Sequence, residues 1–268
     1  MDLTEILKKP HLSASSIGSY IDCGLAYKFA KMDHLPPEFI PDTMTFGTAI
    51  HHTLENFYME KKSHIHLSIK EVHACFDYLW ELEAFTNDAI RYSPGKSYFS
   101  YLIEGKDLLS AWYDKLPQND FNVIGTEVGF AFHLTGMTIP IVGFIDLLEE
   151  DESGTLIVTD FKTSARAYGT DEIDNNLQML VYHLAMKSNG YADREILLKL
   201  DCLIKTKTPK FESYYTTRTE EDERRLIRKI QCVWDGISKG VFLPNDTGWK
   251  CKGCLYKTAC NNWFIKGE

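Results

Sequence analysis

Two apolar, β-branched runs separated by a short acidic turn constrain this chain more than any other feature. Residues 139–148 read Ile-Pro-Ile-Val-Gly-Phe-Ile-Asp-Leu-Leu, residues 155–162 read Thr-Leu-Ile-Val-Thr-Asp-Phe-Lys, and Glu149-Glu150-Asp151-Glu152-Ser153-Gly154 lies between them. Runs of this kind bounded by a polar, glycine-ended segment predict a hairpin. Side chains alternate across a strand, so Asp160 and Lys162 share one face while Phe161 points to the other and belongs to the core. A carboxylate and an ammonium therefore meet at one edge. Asp146, read as lying near the far end of the first strand, joins them only if the strands bend or stagger.

The surrounding pattern is α/β. Residues 44–60 carry Ile50, Leu54, Phe57 and Tyr58 at helical spacing, which places His51, with His52 beside it, on a helix. Ser13 to Ser16 marks a helix start. Residues 65–115 continue as helical segments broken near Ser93-Pro94-Gly95 and are expected to cap the sheet. Residues 122–132, 196–205 and 211–217 read as strands, 175–188 as a helix, and 220–237 as a closing helix. Gln178 and Tyr182, four residues apart, emerge from one helix face. Pro94-Gly95-Lys96-Ser97 resembles the end of a phosphate-binding loop, but Ile90 stands where that loop needs its first glycine. The whole chain, 1–268, is expected to form a single domain.

Two carboxylates that can share a metal, with a lysine one side chain away, are equipment for metal-assisted phosphodiester hydrolysis. Hard oxygen ligands suit Mg²⁺ or Mn²⁺. The net charge of −9 is unusual for a DNA binder. Affinity, however, depends on cations along the phosphate path, not on the average over the surface. Lys199, Lys205, Lys207, Lys210 and Arg218 form one such stretch and Arg224, Arg225, Arg228 and Lys229 another. Their alternative reading is a solvated strand edge and a charged helix face.

Four short motifs occur in order: Gly47-Thr48-Ala49-Ile50-His51, Gly143-Phe144-Ile145-Asp146, Asp160-Phe161-Lys162, and Gln178 with Tyr182. Together they resemble the PD-(D/E)XK nuclease superfamily, in particular its RecB-like exonuclease branch. The resemblance implies a restriction-endonuclease-like mixed β-sheet flanked by helices. It also implies metal ligation by His51, Asp146, Asp160 and the backbone carbonyl of Phe161. Catalysis would rest on Asp146, Asp160 and Lys162, with Gln178 and Tyr182 positioning Lys162 and the DNA backbone. Glu127 matches an acidic residue on the preceding strand and would act beside the metal or on it.

Seven cysteines in a chain with no signal-like or membrane-spanning run predict a cytoplasmic protein with thiols and metal ligands instead of disulfides. Cys75, Cys202 and Cys232 sit in apolar segments and are expected to be buried thiols. Cys23 and the cluster Cys251, Cys254 and Cys260 resemble the iron–sulfur members of the superfamily, the AddB nuclease domain and the CRISPR-associated Cas-four-type proteins. Gly24 follows Cys23 where a proline often stands in that branch. The resemblance implies a [4Fe–4S] cluster on these four cysteines, joining the amino- and carboxy-terminal regions. Structural zinc is the alternative for a C-x2-C element. The expected activity is a metal-dependent DNA exonuclease, acting on single strands in CRISPR adaptation or in recombination and repair. A CRISPR integrase, a helicase or further copies of the chain would be its partners. The rival readings are an endonuclease or flap-processing enzyme and a non-catalytic DNA-binding adaptor of the same fold.

Overall fold

The computed structural model describes residues 3–116 and 121–266. In chain order the helices and strands are α1 (Leu3–Leu7), α2 (Ala14–Asp22), α3 (Gly24–Tyr27), β1 (Ile40–Pro41), α4 (Asp42–Lys62), α5 (Ile69–Ala84), β2 (Ile90–Arg91), α6 (Tyr98–Tyr113), β3 (Asn122–Phe132), β4 (Ile141–Glu150), β5 (Leu156–Ser164), α7 (Thr170–Asp174), α8 (Leu177–Met186), β6 (Ile196–Ile204), β7 (Lys210–Thr216), α9 (Glu220–Ser238) and α10 (Lys257–Lys266). Two compact units are formed, one from Met1–Ile40, Ala131–Gly143 and Thr219–Glu268, the other from Pro41–Phe130 and Phe144–Arg218.

The sheet runs in the order β3-β4-β5-β6-β7, most of its residues belonging to the second unit. Strand β5 pairs antiparallel with β4 and parallel with β6, and β6 pairs antiparallel with β7. A parallel β5–β6 pair requires a crossover, which α7 and α8 supply. The β5 and β6 sequences, Leu-Ile-Val-Thr-Asp-Phe and Ile-Leu-Leu-Lys-Leu-Asp-Cys-Leu-Ile, are apolar on both faces because both faces are covered. The β4–β5 ladder includes Leu147 opposite Thr159, so the next positions in that register are Asp146 and Asp160. The ladder ends at Leu147–Thr159, and the two carboxylates meet where the strands part. Asp146 lies in the middle of β4, not at its end.

Helix α4 covers the Phe161 face of the sheet, with the Tyr58 ring stacked on Phe161 at 5.7 Å. Its opposite side meets the helical cap of α5 and α6. Phe46 lies 4.7 Å from Tyr101 and edge-on to Trp80, and Phe57 lies 4.8 Å from Trp112. Beneath them the buried Asp42 carboxylate accepts hydrogen bonds from the Ser93 amide and hydroxyl and from the Tyr101 hydroxyl, so the cost of burying it is offset. The residues of the false phosphate loop are structural: Ser97 caps α6 and Lys96 pairs with Glu104 at 2.9 Å.

Gly105 is where α6 approaches α5. A Cβ there would lie 2.1 Å from the Phe76 ring, which is fully buried. Gly105→Ala is therefore expected to destabilise the fold by about 1–3 kcal/mol, as overpacking does. Urea unfolding of the two proteins would measure the difference.

The first unit is built around α2 and α9. Ser13 caps α2 in a reciprocal capping box with Ser16. Tyr20 donates to the Val241 carbonyl and packs edge-on against Tyr27 and Phe242. Leu226, Ile230, Val233 and Ile237 form the buried stripe of α9, and four acidic residues fill its first turn, where the helix dipole favours them. On its outer face Arg224 and Arg225 pair with Glu220 and Glu221 at i,i+4 spacing, which fits the charged-helix alternative. Cys202 is buried as expected, but Cys75 is half-buried and Cys232 is exposed. The apolar neighbours of Cys232 in sequence point into the stripe while the thiol does not.

Candidate active site and cysteine site

The site forms where β4 and β5 part. There the Asp146 carboxylate accepts the Phe161 backbone N–H at 2.8 Å. Asp160 is buried beside it, and Lys162 Nζ lies 2.6 Å from Asp160 Oδ2. The alternation read from the sequence thus sets Asp160 and Lys162 on one face and Phe161 on the other. From α4, His51 Nδ1 comes within 3.4 Å of Asp146 Oδ2, and its ring is hydrogen-bonded to the Phe161 backbone. His51, not His52, is therefore the imidazole at the carboxylates.

The electrostatics follow from crowding two acids in a dry place. Burial, and then the neighbouring Asp160, push the Asp146 carboxyl up to about 8, although the Phe161 amide pulls the other way. Burial also lowers the His51 pKa despite the nearby Asp160 carboxylate, leaving a neutral ring with a lone pair to offer. Burial opposes the Lys162 ammonium, but Asp160 and Asp146 outweigh it, and its pKa is raised. Asp160 Oδ2 is buried, and its close partner is the Lys162 ammonium at 2.6 Å. Among the described residues no three His, Cys, Asp or Glu side chains are already arranged as a metal-holding group. Here the carboxylates turn to the Phe161 amide and to Lys162. Two acids, a neutral imidazole and a nearby carbonyl nevertheless form a donor set in which the crowded acids, with Asp146 raised to about 8, favour a further cation. These residues fit a divalent ion.

Gln178 and Tyr182 do share one face of α8, as their spacing predicts. Gln178 Nε2 donates to the Tyr182 hydroxyl at 2.6 Å, and that hydroxyl donates to the Phe144 carbonyl at 2.6 Å while lying 3.4 Å from Asp160 Oδ1. Their contacts thus run to the β4 backbone and Asp160. The Phe144 carbonyl is a partner that no sequence signal could supply, because it is backbone. Glu127 has φ +45 within β3, a left-handed conformation costing an ordinary residue about 1–2 kcal/mol. Its carboxyl pKa is raised by burial first, then by Glu55, with Asp160 also contributing. Glu55 went unread in the sequence, although it lies one helical turn after His51.

The basic stretch read as a phosphate path is only partly available. Lys199 is buried, 3.4 Å from Glu149 and 3.3 Å from Asp201, and Lys61 approaches Glu149 at 3.8 Å. Arg218 is buried too, donating to the carbonyls of Ile173 and Thr217. Burial lowers the pKa of Lys205, leaving Lys207 and Lys210 as the exposed cations of that group.

In the first unit Cys23, Cys251, Cys254 and Cys260 line one cavity of about 440 Å³. The Asn245 amide donates to Cys23 Sγ at 3.4 Å, and Lys257 Nζ lies 3.4 Å from Cys251 Sγ. The Cys260 thiol is raised by burial and then by Cys23, Cys254 and Cys251. Four cysteines thus line one cavity, with N–H donors at two of the sulfurs, a set of the type that ligates metal through thiolates, although among the described residues no three of them are already arranged as a metal-holding group.

A mixed five-stranded sheet with an Asp-x-Lys strand facing a second strand carboxylate, flanked by helices, defines a restriction-endonuclease-like nuclease fold. The sequence model of the PD-(D/E)XK nuclease superfamily matches residues 11–261, and the chain belongs to that superfamily. A proposed exonuclease from Eubacterium rectale shares the fold at a TM-score of 0.54 and 10% identity, with 91% of this chain and 87% of that one covered. SSO0001 aligns at a TM-score of 0.40 and 16% identity over 91% and 92% of the two chains, too distant for comparing elements. No curated protein matches the sequence. Among the described residues no helix is long and apolar enough to cross a membrane.

Proposed function

We propose that this nuclease is a metal-dependent deoxyribonuclease that shortens single-stranded DNA from an end. The observation that carries the reading is the convergence of Asp146, Asp160, Lys162 and His51 around the Phe161 backbone. His51, Asp146, Asp160 and the Phe161 carbonyl would hold Mg²⁺ or Mn²⁺. When bound, such an ion supplies an acidified water and charge neutralisation at the scissile phosphate. Lys162, kept charged by the two acids, donates to the oxygen on which negative charge develops. Gln178 and Tyr182 hold Asp160 and the Phe144 segment of β4 in place. Glu127 borders the site from β3. An adaptor would need no such convergence of carboxylates, lysine and imidazole, which favours an enzyme. The superfamily match extends through both compact units, which supports one functional domain.

Cys23, Cys251, Cys254 and Cys260 would hold a [4Fe–4S] cluster in a structural role. Cys254→Ala is then expected to yield colourless protein, with less of it soluble and a Tm lowered by several degrees; a stable, fully active variant that retains its iron speaks against the assignment. By its likeness to the iron–sulfur branch, the enzyme would serve CRISPR adaptation or recombination and repair in the cytoplasm, alongside an integrase or helicase.

Linear and circular single-stranded DNA separate end-directed from internal cleavage. In Mn²⁺ the linear strand should shorten while the circle stays intact. A circle cut as fast as the linear strand would establish an endonuclease instead.

A further inference from the structure

The outer side of the helical cap carries an apolar surface that the active site does not use. On α5 Tyr78 and Leu82 are each 66% exposed, Phe85 just past its end is 63% exposed, and on α6 Phe99 and Ile103 are 68% and 62% exposed. Spacings of four and three along α5, and of four along α6, place each row on one helix face. The helices run antiparallel: Trp80 Nε1 donates to the Tyr98 carbonyl near one end, and His73 lies 3.0 Å from the Ser110 hydroxyl near the other. Phe85 packs on Tyr98, which packs on Phe99, so the rows form one surface. Beneath it Phe76 is seated against Gly105 between the helices.

We infer that this face joins two copies of the chain in a two-fold dimer. The first argument is area. At roughly 150–250 Å² per aromatic side chain, three aromatics and two aliphatics about two-thirds exposed present on the order of 500 Å² of apolar surface. A standard interface takes about 800 Å² from each partner, and homodimer interfaces are about 65% apolar, which again gives roughly 500 Å². The second argument is charge. Lys106 pairs with Asp77 at 3.1 Å and Lys96 with Glu104 at 2.9 Å within the chain, so most of the neighbouring charges are matched, the exposed Glu81 and Asp107 being the exceptions. Such a setting does not select a partner of one charge, and it lets a chain of net charge −9 meet its own copy through apolar contact. A two-fold contact uses the same patch twice. The α5 row of one copy lies on the α6 row of the other, and the four helices pack as two facing pairs.

Sedimentation velocity of the full chain from 1 to about 100 µM, at low and at 0.5 M salt, tests this directly. The expected result is a concentration-dependent dimer that persists at high salt, as apolar burial does. The double variant Leu82→Glu/Phe99→Glu should be monomeric throughout, with unchanged circular dichroism and unchanged DNA cleavage per chain. If the substitutions disturb the fold, Tyr78→Lys, at the most exposed end of the α5 row, takes their place. A wild type that stays monomeric, a dimer that salt dissociates, or a dimer that survives the folded variants would overturn the inference.

Discussion

Lys162→Ala is expected to lower the rate of DNA cleavage by at least about 100-fold, the scale on which removal of one donor aimed at developing charge is felt. The geometry makes this more than a generic loss. Lys162 Nζ is 2.6 Å from Asp160, and the two acids keep it charged in a site where burial opposes the charge. The same contact predicts a structural side effect, because its removal leaves Asp160 and Asp146 facing each other without a cation. The metal-free variant should therefore melt below the wild type, and saturating Mn²⁺ should recover most of the difference. Activity should not recover with it. Initial rates on end-labelled DNA, with melting curves taken with and without Mn²⁺, separate the two effects. A variant that cleaves at near wild-type rate once Mn²⁺ has restored its stability would remove Lys162 from the mechanism.

Asp146→Asn should separate activity from stability in the opposite direction. Cleavage is expected to fall by about 100-fold or more, beyond the 10–100-fold typical of losing a mere supporting group around a metal. Stability of the metal-free protein should rise. The folded state holds the Asp146 carboxyl at about 8, well above its ordinary range, so folding favours the protonated acid. That contribution is complete below the ordinary carboxylate pKa and is lost as the pH rises through about 8. Asparagine stays neutral and can still accept the Phe161 amide. At pH 8.5, where wild type has lost on the order of several kcal/mol of that contribution, the variant should melt several degrees above it. At pH 4 the two proteins should melt together. A variant less stable than wild type at pH 8.5 would mean that the acids are not in conflict.

The sequence revealed the elements better than their pairing. Period-two alternation around Asp160-Phe161-Lys162 and the helical spacing of Ile50, Leu54 and Phe57 are local signals, and they placed His51, Asp160 and Lys162 correctly. Register is not local. Whether Asp146 faces Asp160 depends on which residues of β4 and β5 pair, and the turn at 149–154 alone does not determine that. Charge also misled. Lys199 and Arg218 read as surface cations because buried charges are rare, yet Lys199 is neutralised by Glu149 and Asp201, which lie distant or adjacent in sequence without announcing a network. The left-handed backbone at Glu127 has no signal in its side-chain type. Tyr182 is a core aromatic, 1% exposed, whose hydroxyl nevertheless reaches Phe144 and Asp160.

The central claim is that Asp146, Asp160 and His51 hold a divalent ion that makes the site hydrolyse DNA. The most direct test is a time course on linear single-stranded DNA labelled at the 5′ or the 3′ end, using wild-type protein of verified iron content, with Mn²⁺ titrated against EDTA. The account predicts label release from one end, saturating with Mn²⁺ and abolished by EDTA. Iron-replete wild type that leaves both labels in place across Mn²⁺ and Mg²⁺ would contradict it.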